Sequence, residues 1–302
     1  MTLVQTVVKG VERARLLDAV AVPLAGLVHR AARPRRVRNL LSGTPLGHPA
    51  HPPLTDVPIG AWTTAAILDV LGAANSMFPL RKDHTAPLAE LFVLLGIAAA
   101  LPAAATGLND WSDTQGEPAP RRVGVVHAAA NTTALGLYTA SFVARRRGKP
   151  AQGRLLGFAG YGALLVGSFL GGHLAFTDAV NVNQNAFEER PLDWTPVLDQ
   201  AELPEGALRR VLAGATAVLL HRHEGAVHAL SATCSHMGGP LTAGRVEDGC
   251  VICPWHGSTF ELTDGHVVRG PATAPQPVYE TRVREGRIEV RARDSGRGPA
   301  LG

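Results

Sequence analysis

Two short loops in the last third of this 302-residue sequence each combine one cysteine with one histidine. The first contains Cys234 and His236, and the second contains Cys253 and His256. Thiolates and imidazoles are both common ligands of transition metals. Structural zinc sites usually group two cysteines together and two histidines together, whereas each loop here mixes the two ligand types. The pattern therefore favours a two-iron cluster with cysteines on one iron and histidines on the other, and zinc is the alternative.

The surrounding residues resemble the Rieske family over about residues 195–293. The resemblance implies a small all-β domain of antiparallel sheets with a cluster-binding subdomain. It also implies a [2Fe–2S] cluster whose ligands are Cys234, His236, Cys253 and His256. The matching motifs are Cys-x-His, Gly238-Gly239-Pro240-Leu241, Cys-Pro-x-His-Gly, Phe260, Gly265, and the segment from Gly270-Pro271 to Pro277.

The sequence departs from the Rieske pattern at positions that affect the cluster. Gly239 and Trp255 occupy the two positions where respiratory Rieske proteins have disulfide cysteines. Ser258 matches a residue whose hydrogen bond raises the reduction potential in that family, whereas Phe260 replaces a tyrosine with the same role. Pro275 falls in the proline-rich loop that covers the cluster in the family. We expect a cluster of moderate potential in a reducing compartment.

The residues before these loops have a different composition. Hydrophobic residues make up 46% of the chain and charged residues 18%, and the Ala- and Leu-rich stretches precede residue 177. Four apolar stretches, near residues 55–75, 87–108, 124–144 and 155–176, are each close to the roughly 20 residues that span a bilayer. They predict an all-α four-helix transmembrane bundle, and a soluble four-helix bundle is the alternative. Residues 45–180 also resemble a bacterial membrane family of unknown function, domain of unknown function 2231.

These patterns predict five segments. They are a basic N-terminal segment (1–52) with an amphipathic or ordinary surface helix, the four-helix membrane domain (53–177), a linker (178–194), the Rieske domain (195–293) and a disordered tail (294–302). The protein is expected in the bacterial inner membrane as a multi-pass protein. The arginine-rich N-terminus places the Rieske domain in the cytoplasm, although arginines between the third and fourth stretches favour the opposite orientation.

Histidines and acids also collect at one predicted face of the membrane bundle. If adjacent helices run antiparallel, this face receives His51, Asp56, Asp110, His127 and His173. Ionisable residues in spans suggest function. The predicted uses are a haem b held by His127 and His173, a metal ion, or a quinone site; the alternative is that these side chains simply cap helices or meet water.

Together these features predict a membrane-anchored Rieske one-electron-transfer protein. Its expected partners are a redox protein or a quinone and the lipid bilayer, and no nucleic-acid surface is indicated. A redox sensor or scaffold with the bundle as a simple anchor is the second hypothesis. A complete terminal oxygenase is not expected, because only a short tail follows the Rieske segment. The sequence identifies neither the electron donor and acceptor nor the oligomeric state.

Overall fold

The computed structural model describes residues 3–77 and 84–293, so the predicted tail at 294–302 lies outside the described residues. The chain forms two compact units. The helical unit consists of Met1–Val37 and Ala50–Val180, and the β unit consists of Arg38–Pro49 and Asn181–Gly302. The β unit is therefore built from two separate stretches of sequence.

Seven α-helices lie within the described residues, where the sequence predicted four. The four longest, α4 to α7, have 27 to 29 residues and are roughly 40 Å long at 1.5 Å per residue, enough to cross a bilayer. The helices are α1 (Leu3–Arg13), α2 (Asp18–Ala31), α3 (Arg35–Ser42), α4 (His51–Met77), α5 (Thr85–Trp111), α6 (Pro118–Arg146) and α7 (Pro150–Phe176).

Three of these helices, α4, α5 and α7, are apolar enough to cross a membrane. The predicted count of four spans is therefore not matched by composition. Helix α6 covers the third predicted stretch but includes Arg121 and Arg122 in its first turns and Asn131 near its middle. These polar residues lower its apolar content while leaving its length sufficient.

Close aromatic packing holds the long helices together. The indole of Trp62 on α4 stacks on the ring of Tyr138 on α6, with centroids 4.2 Å apart and planes 9° from parallel. The same indole donates a hydrogen bond to the Val93 carbonyl on α5 at 3.3 Å. A Cβ atom at Gly96 would collide with this indole, so glycine is required where α5 meets α4. Small residues allow such close helix contacts in membranes.

A buried ion pair joins α4 to α6. Arg145 donates two hydrogen bonds to the Asp69 carboxylate, one of them from Nη1 to Oδ1 at 2.9 Å. The two side chains are only 4% and 6% exposed. The next residue, Arg146, forms a contrasting pair with Glu90 on α5, where the atoms are 3.4 Å apart and the arginine side chain is 69% exposed.

The β unit contains two antiparallel sheets, as predicted for a Rieske fold. The larger sheet has strand order β1-β10-β9-β4-β3-β2, and the smaller has order β5-β6-β7-β8. The strands are β1 (Thr195–Asp199), β2 (Leu208–Ala213), β3 (Thr216–His223), β4 (Ala226–Ser231), β5 (Arg245–Glu247), β6 (Cys250–Ile252), β7 (Thr259–Glu261), β8 (Val267–Arg269), β9 (Val278–Arg284) and β10 (Arg287–Ala292).

Two-residue turns ending in glycine set the register of three hairpins. Both turn residues have positive φ in Glu224-Gly225, Asp248-Gly249 and Glu285-Gly286. This is the backbone of type I′ turns, whose twist matches that of the flanking strands. A core that includes Leu230, Val251 and Phe260 lies beneath the cluster loops and seats them on the strands.

The N-terminal stretch Arg38–Pro49 belongs to the β unit, although the sequence placed it in a basic segment preceding the membrane bundle. We call this stretch the strap. The Asn39 side chain accepts a hydrogen bond from the Gly270 N–H at 2.9 Å and donates one to the Val268 carbonyl at 3.3 Å. Thr44 Oγ1 donates to the Ala272 carbonyl at 3.3 Å. The strap thus binds the start of the proline-rich loop.

The rest of the predicted N-terminal segment and the predicted linker can each be located in the structure. The predicted N-terminal segment contains an apolar run, Leu16–Val28. It lies largely in helix α2, on which Val20, Val22 and Leu27 remain more than half exposed. The predicted linker has no regular helix or strand in its described residues, but it is anchored. The Gln184 N–H donates to the Ser235 carbonyl at 3.1 Å, and the Asn185 amide donates to the Thr233 carbonyl at 3.0 Å.

Candidate metal centre

The two Cys-His loops have the same backbone geometry. In the first, the Cys234 N–H donates to the carbonyl five residues later, and the Gly238 N–H donates back to the Cys234 carbonyl at 3.0 Å. In the second, Cys253 makes the same pair of bonds with Ser258 and Gly257. Gly238 and Gly257 occupy the same place in their loops and have φ values of +75° and +72°. Glycine closes each loop because it adopts this left-handed conformation without strain.

The loops bring their four metal-binding side chains together by chemical type. The thiols of Cys234 and Cys253 are hydrogen-bonded to each other, and both cysteines are buried and outside any disulfide. The imidazoles of His236 and His256 meet edge to face, with centroids 5.1 Å apart and planes at 89°. His236 is buried and His256 is partly exposed. One side of the site therefore offers two sulfurs and the other offers two imidazoles.

The protein environment controls the protonation of these ligands. The hydrogen bond between the two thiols lowers the pKa of Cys253 to about 7 and, together with burial, raises the pKa of Cys234. Backbone N–H groups also surround the sulfurs: those of His236 and Met237 bond to Cys234, and those of Trp255 and His256 bond to Cys253. Burial lowers the pKa of His236, and the charges of His256 and Arg38 lower it further.

The residues fit a [2Fe–2S] cluster with two thiolate and two imidazole ligands. The paired sulfurs can bind one iron and the paired imidazoles the other, as in Rieske centres. Backbone N–H groups directed at sulfur stabilise thiolates, which are the ligand form of cysteine. Neutral imidazole is the ligand form of histidine, and burial keeps His236 neutral.

Gly239 and Trp255, at the positions where respiratory Rieske proteins have disulfide cysteines, face each other. A Cβ atom at Gly239 would lie 3.1 Å from Cδ2 of the Trp255 ring and 2.9 Å from the Cys253 sulfur. The tryptophan ring thus packs against the glycine and occupies the space where two cysteines would meet. Packing of the Trp255 indole on the Gly239 backbone thus connects the two loops where respiratory Rieske proteins have a disulfide.

Ser258 connects the second cluster loop to the proline-rich loop. This fully buried side chain accepts a hydrogen bond from the Ala272 N–H at 3.1 Å, through the oxygen, so its hydroxyl proton remains available for another acceptor. The predicted hydrogen bond from Ser258 to a cluster sulfur remains a prediction. Pro275 lies in the same covering loop and is exposed.

Two residues of this region were missed by sequence reasoning. The buried Gln276 side chain accepts from the Ser235 N–H at 3.1 Å and donates to the carbonyls of Ser231 and Thr233, which ties the covering loop to the first cluster loop. Arg38 of the strap is 2% exposed, and its charge acts on His236. The position of Gln276 between Pro275 and Pro277 was a weak local indication of its role. Arg38 had no such indication, because the N-terminal segment contains many arginines.

Comparisons with known proteins agree with this geometry. The Rieske [2Fe-2S] domain model matches residues 193–280, and the model named Predicted membrane protein (DUF2231) matches residues 47–184. Ferredoxin CarAc from Metapseudomonas resinovorans is 31% identical over 98 residues, which cover 32% of this chain and 92% of that ferredoxin. The chain belongs to the Rieske [2Fe-2S] family. The predicted pairing of a Rieske domain with this membrane domain is confirmed.

Two further similarities each cover about a third of this chain. Apoptosis-inducing factor 3 from Mus musculus is 33% identical over 91 residues, which cover 30% of this chain. The chain spans only 15% of the length of that relative. Among solved structures, a complex of reduced oxygenase and oxidized ferredoxin in carbazole 1,9a-dioxygenase is 30% identical with a TM-score of 0.31. The match covers 32% of this chain and 92% of the other chain.

Among the five residues of the predicted membrane site, His51 and His127 lie close enough to interact electrostatically. His51 binds the Ala103 carbonyl through Nδ1 at 2.9 Å, and His127 binds the Gly167 carbonyl through Nδ1 at 2.8 Å. Asp110 is buried beside the amide of the preceding asparagine, whereas Asp56 is exposed.

His173 lies elsewhere, with Nε2 3.5 Å from the Glu12 carboxylate. The predicted haem between His127 and His173 therefore has no support, because His173 is directed toward carboxylates instead of toward the other imidazole.

Proposed function

We propose that this protein is a membrane-anchored one-electron carrier of the Rieske type, working with a redox partner protein. The observation that supports the proposal most directly is the segregation of two buried thiols and two imidazoles on matched loops. A bound [2Fe–2S] cluster supplies reversible one-electron reduction at such a site. Ferredoxin CarAc, similar over nearly its whole length, is named as a ferredoxin.

The exposed edge of the site is the proposed route for the electron. His236 is 4% exposed, whereas His256 is partly exposed beside Trp255, which is 53% exposed. Exposed Pro275 lies in the covering loop. Aromatic residues are enriched at protein interfaces. A partner docking on Trp255 and Pro275 would meet the imidazole edge of His256, while the two buried thiolates stay shielded from water.

We further propose that all four long helices cross the membrane. The strap precedes α4 and the remainder of the β unit follows α7, yet both belong to one compact unit. They must lie on the same side of the membrane, which requires an even number of crossings between them. Three crossings by α4, α5 and α7 would separate them. Crossing by α6 as well restores the even number, and the Asp69–Arg145 pair neutralises its buried arginine.

The proposed orientation places the β unit in the cytoplasm of a bacterial cell. Free, unbridged cysteines suit a reducing compartment. The arginines between α6 and α7 favoured the reverse orientation, but Arg145 is buried against Asp69 and is not a loop charge. Labelling of single introduced cysteines in intact cells, in a Cys250→Ser background, tests this topology. Cysteines at Leu46 and Glu224 should share one side, and a cysteine at Ala151 should lie on the other. Labelling of Leu46 and Glu224 from opposite sides would refute four crossings.

The experiment on the electron-transfer function uses full-length protein purified with its iron. The reduced protein should show the electron paramagnetic resonance signal of a Rieske centre, and Cys253→Ser should abolish it. Cys250→Ser is the matched control, because Cys250 lies on strand β6 outside the ligand set. The reduced cluster should then be reoxidised by a one-electron acceptor protein. An iron-replete protein lacking the signal would overturn the proposal.

A redox sensor or scaffold that uses the bundle only as an anchor is the second candidate. Its support is that His173, one of the two predicted haem ligands, lies beside the carboxylates of Glu12 and Asp178. Reoxidation kinetics separate the two readings, since a carrier exchanges electrons in repeated turnovers with a partner and a sensor needs only one slow change of state. A haem or quinone in the bundle remains a prediction, and visible spectra before and after dithionite test the haem.

A further inference from the structure

Three side chains of metal-binding type meet at the C-terminal end of α7, within the helical unit. They are Glu12 of α1, His173 of α7 and Asp178, which follows the helix. One donor atom from each lies within 4.8 Å of the other two. The Nε2 atom of His173 is 3.5 Å from a Glu12 oxygen and 3.8 Å from an Asp178 oxygen. These distances exceed those of hydrogen bonds, so the three groups surround a point without bonding to each other.

Local structure explains why the three groups meet. Helix α7 ends at Phe176, and the N–H groups of Thr177 and Asp178 both donate to the His173 carbonyl, at 2.9 and 3.1 Å. This reversal folds Asp178 back beside His173. Helix α1 is held against the same end because buried Val8 packs with Val123 and Leu170. Glu12, one turn further along α1, is thereby placed opposite His173.

The site carries negative charge that needs a cation. Glu12 lies in the last turn of α1 and Asp178 follows the end of α7, and both helix ends are the negative ends of helix dipoles. The side chains of Glu12 and Asp178 are 27% and 15% exposed. Two carboxylates held together in this way repel each other unless positive charge lies between them.

The adjacent arginine is directed elsewhere. Arg122 donates to the main-chain carbonyl of Glu12 at 2.7 Å and uses its other nitrogens on the Asp18 carboxylate. Meanwhile Nε2 of His173 and Oδ2 of Asp178 are buried and have no hydrogen-bond partner. Buried polar atoms normally have partners, so two such atoms within one group of possible metal ligands indicate a ligand.

We propose that Glu12, His173 and Asp178 bind a divalent transition-metal ion, with water completing its coordination. One imidazole with two carboxylates suits Mn²⁺, Fe²⁺ or Zn²⁺ better than it suits Mg²⁺ or Cu⁺, which prefer all-oxygen and sulfur ligands respectively. The site is separate from the four cluster ligands and does not depend on the electron-carrier proposal. It ties the N-terminal helix to the end of the last long helix and gives His173 a role as a metal ligand.

The test titrates Mn²⁺ into full-length, cluster-loaded, oxidised protein. The free ion is followed by its six-line electron paramagnetic resonance spectrum, and the oxidised cluster contributes no signal. Wild type should remove one Mn²⁺ per chain from solution, and Zn²⁺ should displace it. Glu12→Gln, His173→Ala and Asp178→Asn should each weaken binding at least tenfold. The matched control is Glu117→Gln, an exposed glutamate at the start of α6, which should bind as wild type does.

The alternative is that His173 is protonated and forms an ion triad with the two carboxylates. In that case wild type and the three site variants would leave equal amounts of free Mn²⁺ and free Zn²⁺, and the proposal would be wrong. Thermal unfolding guards against misfolded variants: bound Mn²⁺ should raise the melting temperature of wild type and of Glu117→Gln, and should not raise that of His173→Ala. An equal rise in all variants would also overturn the site.

Discussion

Removing one partner of the Asp69–Arg145 pair should destabilise the helical unit strongly. Asp69→Asn leaves the guanidinium of Arg145 buried, at 4% exposure, without its counter-charge. At the 2.9 Å separation and an effective dielectric constant near 20, the attraction is about 6 kcal/mol before desolvation is subtracted. Breaking a buried pair from one side costs about 3–5 kcal/mol, because the charge left behind has lost both water and partner. We expect that loss for Asp69→Asn.

The assay is unfolding of detergent-solubilised protein, followed by tryptophan fluorescence as the fraction of denaturing detergent rises. Trp62 reports on the helical unit because it stacks on Tyr138 in the same bundle. The double variant Asp69→Asn with Arg145→Gln removes both charges and should recover at least half of the loss. The control is Glu90→Gln, which breaks the exposed neighbouring pair with Arg146 and should cost less than about 1 kcal/mol.

Two results would refute this reasoning. One is a cost for Asp69→Asn no larger than that for Glu90→Gln, which would mean that burial does not strengthen the pair. The other is a double variant less stable than either single variant, which would mean that the two charges are not coupled. Either result would also weaken the proposal that α6 crosses the membrane, because that proposal needs Arg145 to be neutralised.

Three further predictions concern charge and packing. Arg38→Gln should lower the reduction potential of the cluster by roughly tens of millivolts, because the positive charge of Arg38 favours the reduced state. Arg38→Lys keeps the charge and should keep most of the wild-type potential. An unchanged potential of Arg38→Gln in a redox titration would contradict the prediction. Gly239→Ala should reduce iron and sulfide per chain, because its Cβ would lie 2.9 Å from the Cys253 sulfur and 3.1 Å from the Trp255 ring. Adding Trp255→Ala relieves only the contact with the ring and should restore only part of the content, whereas full loading of Gly239→Ala would show that the loop yields easily. Hydrogen bonds from Arg122, and then from Arg121, hold the pKa of Asp18 at about 2, below its ordinary 3.8, so the stabilisation that Asp18 provides is present above about pH 4 and disappears as the pH falls to about 2. Asp18→Asn should therefore lose less melting temperature than wild type over this acid range. An identical loss in the two proteins would contradict the prediction.

The meeting of the four proposed cluster ligands could be predicted because the information that positions them is local. Cys234 and His236 are two residues apart, and Cys253 and His256 three, and each loop closes through its own backbone with a glycine at the same place. The strands and their type I′ turns are local in the same sense. The long helices could also be located, because apolar stretches about 20 residues long require no partner to be recognised.

The remaining features depend on contacts between distant residues. Asn39 reaches Gly270 across 231 residues, and nothing in the local sequence of the strap indicates that partner. Glu12 was not considered as a ligand because it lies in a basic helix far from His173 in sequence. The predicted haem ligands His127 and His173 depend on distant contacts in the same way: antiparallel helices place histidines at one face, but only packing determines which of them meet.

Because the strap lies far in sequence from the rest of its unit, the β unit can be completed only late in synthesis. The strap is synthesised before Ala50–Val180, the whole of the long-helix bundle, and its binding partners around Gly270 come afterwards. At roughly 5–20 residues per second, the strap waits about 7–26 s before the rest of its unit begins to emerge. The four long helices are therefore synthesised before the cluster-binding fold can close. A fragment starting at Asn181 would keep all four iron ligands but would lack the hydrogen-bond acceptor for the Gly270 N–H.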